Sequence, residues 1–179
     1  MTTTLDPRFP VGRFERPQAA LSTSERGAAI DVLAKAPQEF RAAIAGLNDA
    51  QLDTPYRDGG WTVRQVIHHV PDSHMNAYVR CKLALTEDTP TVKPYDETKW
   101  AELADSRSPL VEDSLRLLES LHARWVYLLK RMQMSDFARL LNHPEWDAPM
   151  SLDTLLALYA WHCRHHVAHI TELRKAKRW

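Results

Sequence analysis

Apolar residues recur every three or four positions in four separate stretches of the chain, a spacing that gathers them on one face of a helix. The first stripe, Ile30, Leu33, Pro37, Phe40, Ile44 and Leu47, follows Ser22-Thr23-Ser24-Glu25. That tetrapeptide has the form of a capping box, in which the hydroxyl and the carboxylate satisfy free amides of the first turn. Pro37 lacks a backbone donor and is expected to kink this helix. A turn-forming TPYRDGG segment leads to a second capping box, Thr62-Val63-Arg64-Gln65, and a helix predicted to reach about Thr86 with Pro71 inside it. Residues 88–107 are polar and contain Pro90 and Pro94, which predicts a long crossover. Ser108 before Pro109 reads as an N-cap with proline at the first helical position, followed by the stripe Val111, Leu115, Leu118, His122, Trp125, Leu129 and Met132. After an irregular stretch, 133–150, Ser151 can cap a fourth helix reaching about Lys175, with the stripe Leu155, Tyr159, His162, His166, His169 and Leu173.

Four amphipathic helices, one connection being a long crossover, predict an all-α four-helix bundle. Its 179 residues suit a single domain over 1–179 with a substantial core. Residues 1–21, with Pro7, Pro10 and Pro17, are expected to form an extended arm.

Lysine plus arginine and aspartate plus glutamate both total 23, so the formal net charge is zero. That balance argues against nucleic acid or an anionic membrane as partner. The basic cluster Arg174, Lys175, Lys177 and Arg178 reads as a solvated helix end that complements the helix dipole. Cys81 and Cys163 lie far apart with no CxxC spacing, which predicts two inert buried thiols rather than a disulfide or a cysteine-rich zinc site. No stretch has the roughly 20 apolar residues of a membrane span or the apolar segment of a signal peptide, and the cytoplasm is the expected compartment.

The fourth helix carries the strongest chemical signal. His162 and His166 are four residues apart and project from one face. Two imidazoles buried side by side need partners for their nitrogens, and a shared metal ion supplies one. The pair His165 and His169 competes at the same spacing but lies on a neighbouring face, beside Trp161. On the second helix, periodicity puts His69 on a row with Thr62, Val66, Ser73 and Asn76, and prefers it to His68, which is rotated toward Arg64 and Asp72. His74 falls on another row and reads as a packing histidine. Three neutral imidazoles from two helices leave coordination positions open, as in catalytic sites.

These residues lie within longer segments, PVGRF, QLDTPYRDGGWTVRQVIHHVPDSHMN, KPYDETKWAEL, LLESLHARW and YAWHCRHHVAHITELRK, through which nearly the whole chain resembles the DinB-like superfamily, in particular its YfiT branch of metal-dependent hydrolases. The resemblance implies a bundle that holds one divalent metal, for which three imidazoles suit zinc, nickel and other late transition metals, zinc or nickel first. Its ligands would be the histidine eight residues after the helix-opening tryptophan (His69 after Trp61) and the HxxxH pair His162 and His166. It further implies a homodimer and a kinship with transferases that act with low-molecular-weight thiols such as bacillithiol. Pro71 departs from the pattern, where a helix former is expected.

Three functions compete. The first is metal-assisted hydrolysis of a small-molecule substrate, with water activated at the ion. It lacks an obvious base: Asp72 and His169 are the candidates, and His169 could equally be an outer partner of a ligand. The second is a thiol S-transferase that joins a low-molecular-weight thiol to an electrophile, for which coordination alone would lower the thiol pKa. The third is a non-catalytic, metal-stabilised module. Elsewhere, His122 reads as a core or cavity histidine, Trp61 as packing at the bundle end and His143 as a loop residue. Tyr95 and Trp100 on the crossover could form a lid or a dimer contact.

Overall fold

A computed structural model describes residues 6–179; residues 1–5 of the expected arm lie outside the described residues. Four long helices form the bundle: α1 (Thr23–Ile44), α3 (Val63–Thr86), α5 (Val111–Leu129) and α7 (Leu152–Lys177). One-turn helices punctuate the connections, α2 (Asp49–Leu52), α4 (Glu97–Trp100) and α6 (Met134–Phe137), and a 3-10 turn covers Asp105–Arg107. The bundle is therefore all-α apart from one two-stranded ribbon of β1 (Leu140–Leu141) and β2 (Met150–Ser151), antiparallel with Leu141 opposite Met150.

Local chemistry sets the helix starts. Ser22 and Glu25 form the capping box of α1, and Thr62 and Gln65 that of α3. Ser151 Oγ accepts from the Thr154 amide to open α7. Ser108 does not cap α5, which begins at Val111 without a side-chain cap. Its hydroxyl accepts from the Leu110 amide, and its carbonyl faces His68 and Arg64 instead. Tertiary partners have claimed the residue that local pattern assigned to the helix. Both prolines lie within uninterrupted helices, Pro37 in α1 and Pro71 in α3, and both are buried.

In the bundle α1 packs on α5 and α7, and α3 packs on the same two helices. Consecutive α1 and α3 thus sit across a diagonal, as do α5 and α7. The arm lies along α7, where Trp161 Nε1 donates to the Gly12 carbonyl at 3.1 Å and Phe14 packs between Trp146 and Trp161. It is pinned where the buried Arg26–Asp153 pair (2.6 and 2.8 Å) also takes the Leu21 amide.

The core comes in two apolar halves. One is built around Leu33, Cys81, Trp125, Leu129, Leu152 and Tyr159, the other around Phe40, Val66, Ile67, Leu118, Cys163 and Ile170. Between them runs a layer of imidazoles. Among the described residues no helix is long and apolar enough to cross a membrane.

Candidate metal centre

Facing turns of α3 and α7 bring His69, His162 and His166 together, with one ring nitrogen from each within 4.8 Å of the others. His69 and His166 are buried, while His162 keeps some exposure. Nε2 of His69 and Nε2 of His162 stand 3.4 Å apart, the separation two nitrogens take at about 2.1 Å from a tetrahedral ion. His68, the other candidate on α3, faces away. Its Nε2 donates to the Ser108 carbonyl at 2.9 Å, so its Nδ1 accepts from the Ser114 hydroxyl at 2.7 Å. Both of its nitrogens are spent.

A chain of hydrogen bonds fixes which nitrogen of His162 is free. His122 Nδ1 lies 2.6 Å from the Leu33 carbonyl, which can only accept, so that nitrogen carries the proton. His122 Nε2 must then accept from His74 Nδ1 at 2.8 Å. His74 Nε2 in turn accepts from His162 Nδ1 at 3.1 Å. The series ends with a bare lone pair on His162 Nε2, aimed at His69. A backbone carbonyl on α1 thereby sets the tautomer of an imidazole on α7, through one histidine each from α5 and α3. His74 is fully buried with both ring nitrogens bonded, a satisfied packing histidine that also links His122 to His162, and no other arrangement of protons satisfies all three neutral rings.

His169 stands one turn beyond His166, their Nδ1 atoms 3.3 Å apart. If His166 presents Nε2 toward His69 and His162, its Nδ1–H donates to His169, whose Nε2 then carries the proton. That Nε2 is buried and has no hydrogen-bond partner among the described residues.

Two other groups bring three potential ligand atoms together: His74, His122 and Cys163, and His165, His166 and His169. In the first, every nitrogen of both histidines is already engaged, and burial pushes the Cys163 thiol far above its usual range, against the thiolate a metal needs. In the second, His165 stacks on Trp161 at 4.3 Å and its Nδ1 has no partner among the described residues. The 69/162/166 group draws its donors from two facing helices, α3 and α7, and all three rings line one cavity, whereas the 165/166/169 group lies along α7 alone.

Burial disfavours the charged form throughout this layer. It lowers His69 to about 4, aided by His165, and lowers His122 to about 4 despite the Leu33 carbonyl. It lowers His169 to about 3, again with His165 contributing, and holds His74, His162 and His166 well below the ordinary value. Neutral imidazoles are the form that binds metal, so the donor set fits a divalent ion of the zinc or nickel type.

The triad opens on a cavity of about 520 Å³. Trp61 packs its indole 4.6 Å from the His69 ring, and Tyr56 stacks on His169 at 4.0 Å, so the TPYRDGG turn walls the site rather than merely linking helices. Tyr95 lines the same cavity and rests on Trp100 at 4.5 Å, and His143 also reaches it. Asp72 does not line it: half-buried on another face, it is raised to about 6 by burial and by Asp105. Arg57 and Arg80 line the cavity without any sequence signal having marked them, and Tyr159, read as a stripe residue of the fourth helix, lines it too.

The hydrogen-bonded series has a testable weight. His74→Phe should weaken metal binding roughly 10–100-fold, the usual effect of losing an outer partner. His74→Gln keeps a carbonyl to accept from His162 and an amide to donate to His122, and should recover part of that loss. A competition titration against a chromophoric chelator reads both, and wild-type affinity in His74→Phe would remove the series from the site's function.

Comparison with known proteins gives a consistent picture. The chain is 46% identical over 177 residues to "Putative metal-dependent hydrolase YfiT" of Bacillus subtilis, covering 99% of each chain. It is 53% identical over 176 residues to a "Putative metal-dependent hydrolase" of Bacillus cereus, covering 97% of this chain and 99% of that one. The solved structure of YfiT from Bacillus subtilis, described as a probable metal-dependent hydrolase with an unusual four-helix bundle topology, superposes with a TM-score of 0.94 at 46% identity, covering 97% of this chain and 98% of that one. Residues 33–170 match the model of the DinB superfamily, and with relatives this similar along the whole length, the chain belongs to that superfamily.

Proposed function

We propose that the chain is a metal-dependent hydrolase in which His69, His162 and His166 hold one divalent transition ion, zinc or nickel. The observation that carries this reading is the lone pair left on His162 Nε2 by the Leu33–His122–His74 series, 3.4 Å from His69 Nε2 at a cavity wall. A divalent ion there supplies Lewis acidity and brings the pKa of water near 7. His166 passes its Nδ1 proton toward His169, which holds the ligand ring in place. The Nε2–H of His169 is then buried behind the cavity wall, so its role is to hold His166 and not to meet substrate. Trp61 packs against His69 of the triad, and Tyr56 stacks on His169, the outer partner of His166.

One observation favours a second reading, transfer of a low-molecular-weight thiol to an electrophile. The carboxylates lining the cavity, Glu97 and Glu145, are both exposed at its mouth, so no buried carboxylate stands ready as a base. Activating a thiol does not require one. A single assay separates the two: turnover of ester and amide substrates by the metal-loaded protein, with and without a small thiol such as cysteine. Hydrolysis predicts a rate that rises toward a plateau near pH 7 and is inhibited by the thiol. Thiol-dependent consumption of an electrophile, with no hydrolysis in its absence, would replace the first reading by the second.

A further inference from the structure

Arg80 lies on α3 eleven residues beyond His69, on the helix row that also carries Ser73. It is 8% exposed, and among the described residues its guanidinium has only neutral partners, the Lys93 carbonyl, to which Nη2 donates at 2.9 Å, and the neighbouring Tyr159 hydroxyl. Among the described residues it has no carboxylate within 4.0 Å, in contrast to buried Arg26, paired with Asp153, and Arg64, paired with Asp49 and Asp53. A guanidinium out of water without a counter-charge is costly, and a carbonyl answers only part of its five-donor fork. The charge is felt by its neighbours. It opposes the upward push of burial on the Tyr95 and Tyr159 phenols, and it adds to burial in lowering His143. All four residues line the cavity that holds the histidine triad.

We infer that Arg80 is the recognition point for an anionic oxygen group, a carboxylate or phosphate, on the far end of the substrate whose reacting end meets His69, His162 and His166. The inference deepens the proposed metal site and rests on it for the reacting end alone. Eleven residues span roughly 16 Å of helix axis, and an arginine side chain leans back toward the helix N-terminus. That places the two ends of the ligand on the order of 10 Å apart. Arginine suits the role because its planar fork takes two oxygens of a carboxylate or phosphate at once. Glu97 and Glu145 would repel such an anion only at the mouth, where water screens them.

The test uses the full chain at pH 7.5 and three probes of one length. Metal-free protein is titrated calorimetrically with octanoate and with octanamide. Octanoate should bind at least about tenfold tighter, the usual return on a charge-assisted hydrogen bond. Arg80→Gln should abolish the preference and Arg80→Lys should weaken it, since lysine keeps charge but not the fork. Equal affinity for the two probes in the wild type, or an unchanged preference in either variant, overturns the inference. The third probe, octanedioic acid monohydroxamate, adds a metal-binding group to the far end of octanoate. Loading the protein with zinc should tighten this probe further, and tightening confined to the octanoate end would count against the metal site while leaving Arg80 in place.

Discussion

Alanine at His162 should leave the purified chain without stoichiometric metal while its helices persist. The same result is expected for His69→Ala and His166→Ala, because each removes one of three nitrogens brought within 4.8 Å. The loss in affinity should exceed the roughly 10–100-fold typical of an outer partner. His165→Ala is the informative control. It belongs to the competing group His165, His166 and His169, and shares His166 with the proposed one. If that variant keeps its metal while His162→Ala loses it, the ion sits between α3 and α7 and not along α7 alone. The readouts are metal content by mass spectrometry and helicity by far-ultraviolet circular dichroism. Full metal in all three single variants would dispose of the proposed site.

The second large effect is acid destabilisation of the metal-free chain. An unfolded histidine titrates near 6.5, whereas burial holds His69 and His122 near 4 and His74, His162 and His166 well below the ordinary value. Between these values the unfolded chain binds more protons than the folded one, so stability falls as pH falls. The contribution is fully present above about 6.5 and is lost on the way down to about 4. A shift of this size on one buried imidazole is worth on the order of 3 kcal/mol. Several rings share contacts, so the sum is not additive, but it is comparable with the 5–15 kcal/mol stability of an ordinary domain. Denaturant titrations of metal-free protein at pH 7.5, 6.0 and 5.0 should show a steep decline, and equal midpoints at all three would refute it. The folded site stays neutral well below pH 6, so acid should release metal largely by unfolding the chain and not by titrating an intact site.

Three of the four long helices announce their own beginnings, because a side-chain cap is a contract among neighbours in sequence: the capping boxes of Ser22 with Glu25 and Thr62 with Gln65, and the single bond of Ser151 to the Thr154 amide. Ser108 looked equivalent, but its carbonyl serves His68 and Arg64 from another helix, a demand no local pattern reveals. The two-residue ribbon at Leu140–Leu141 and Met150–Ser151 is too short to alternate visibly. Helical rows separate His69 from His68, and in the structure His69 faces α7 while His68 turns to Ser108 and Ser114. They read His74 as a satisfied packing histidine, but not that its partners are His122 and His162, arriving from α5 and α7. Spacing within one helix cannot encode that three-helix meeting. Nor could Arg80 be singled out, because what distinguishes it among the chain's 23 lysines and arginines is burial without a counter-charge, a property of the fold and not of the local sequence.

The imidazole layer also bears on how this chain avoids decoy folds. Four amphipathic helices of similar length can be assembled in several neighbour orders, and apolar stripes alone barely discriminate among them. Here α1 and α3 face each other across a diagonal, and the string from Leu33 through His122 and His74 to His162 touches all four helices at a single level. Sliding any one helix by a turn, or exchanging two neighbours, would strand imidazole nitrogens in an apolar interior with nothing to bond. Such misfits cost about 1–3 kcal/mol for each unsatisfied group. The layer thus acts as a lock on helix registry and winding order: the residues that prepare the site also penalise every bundle in which the site could not exist.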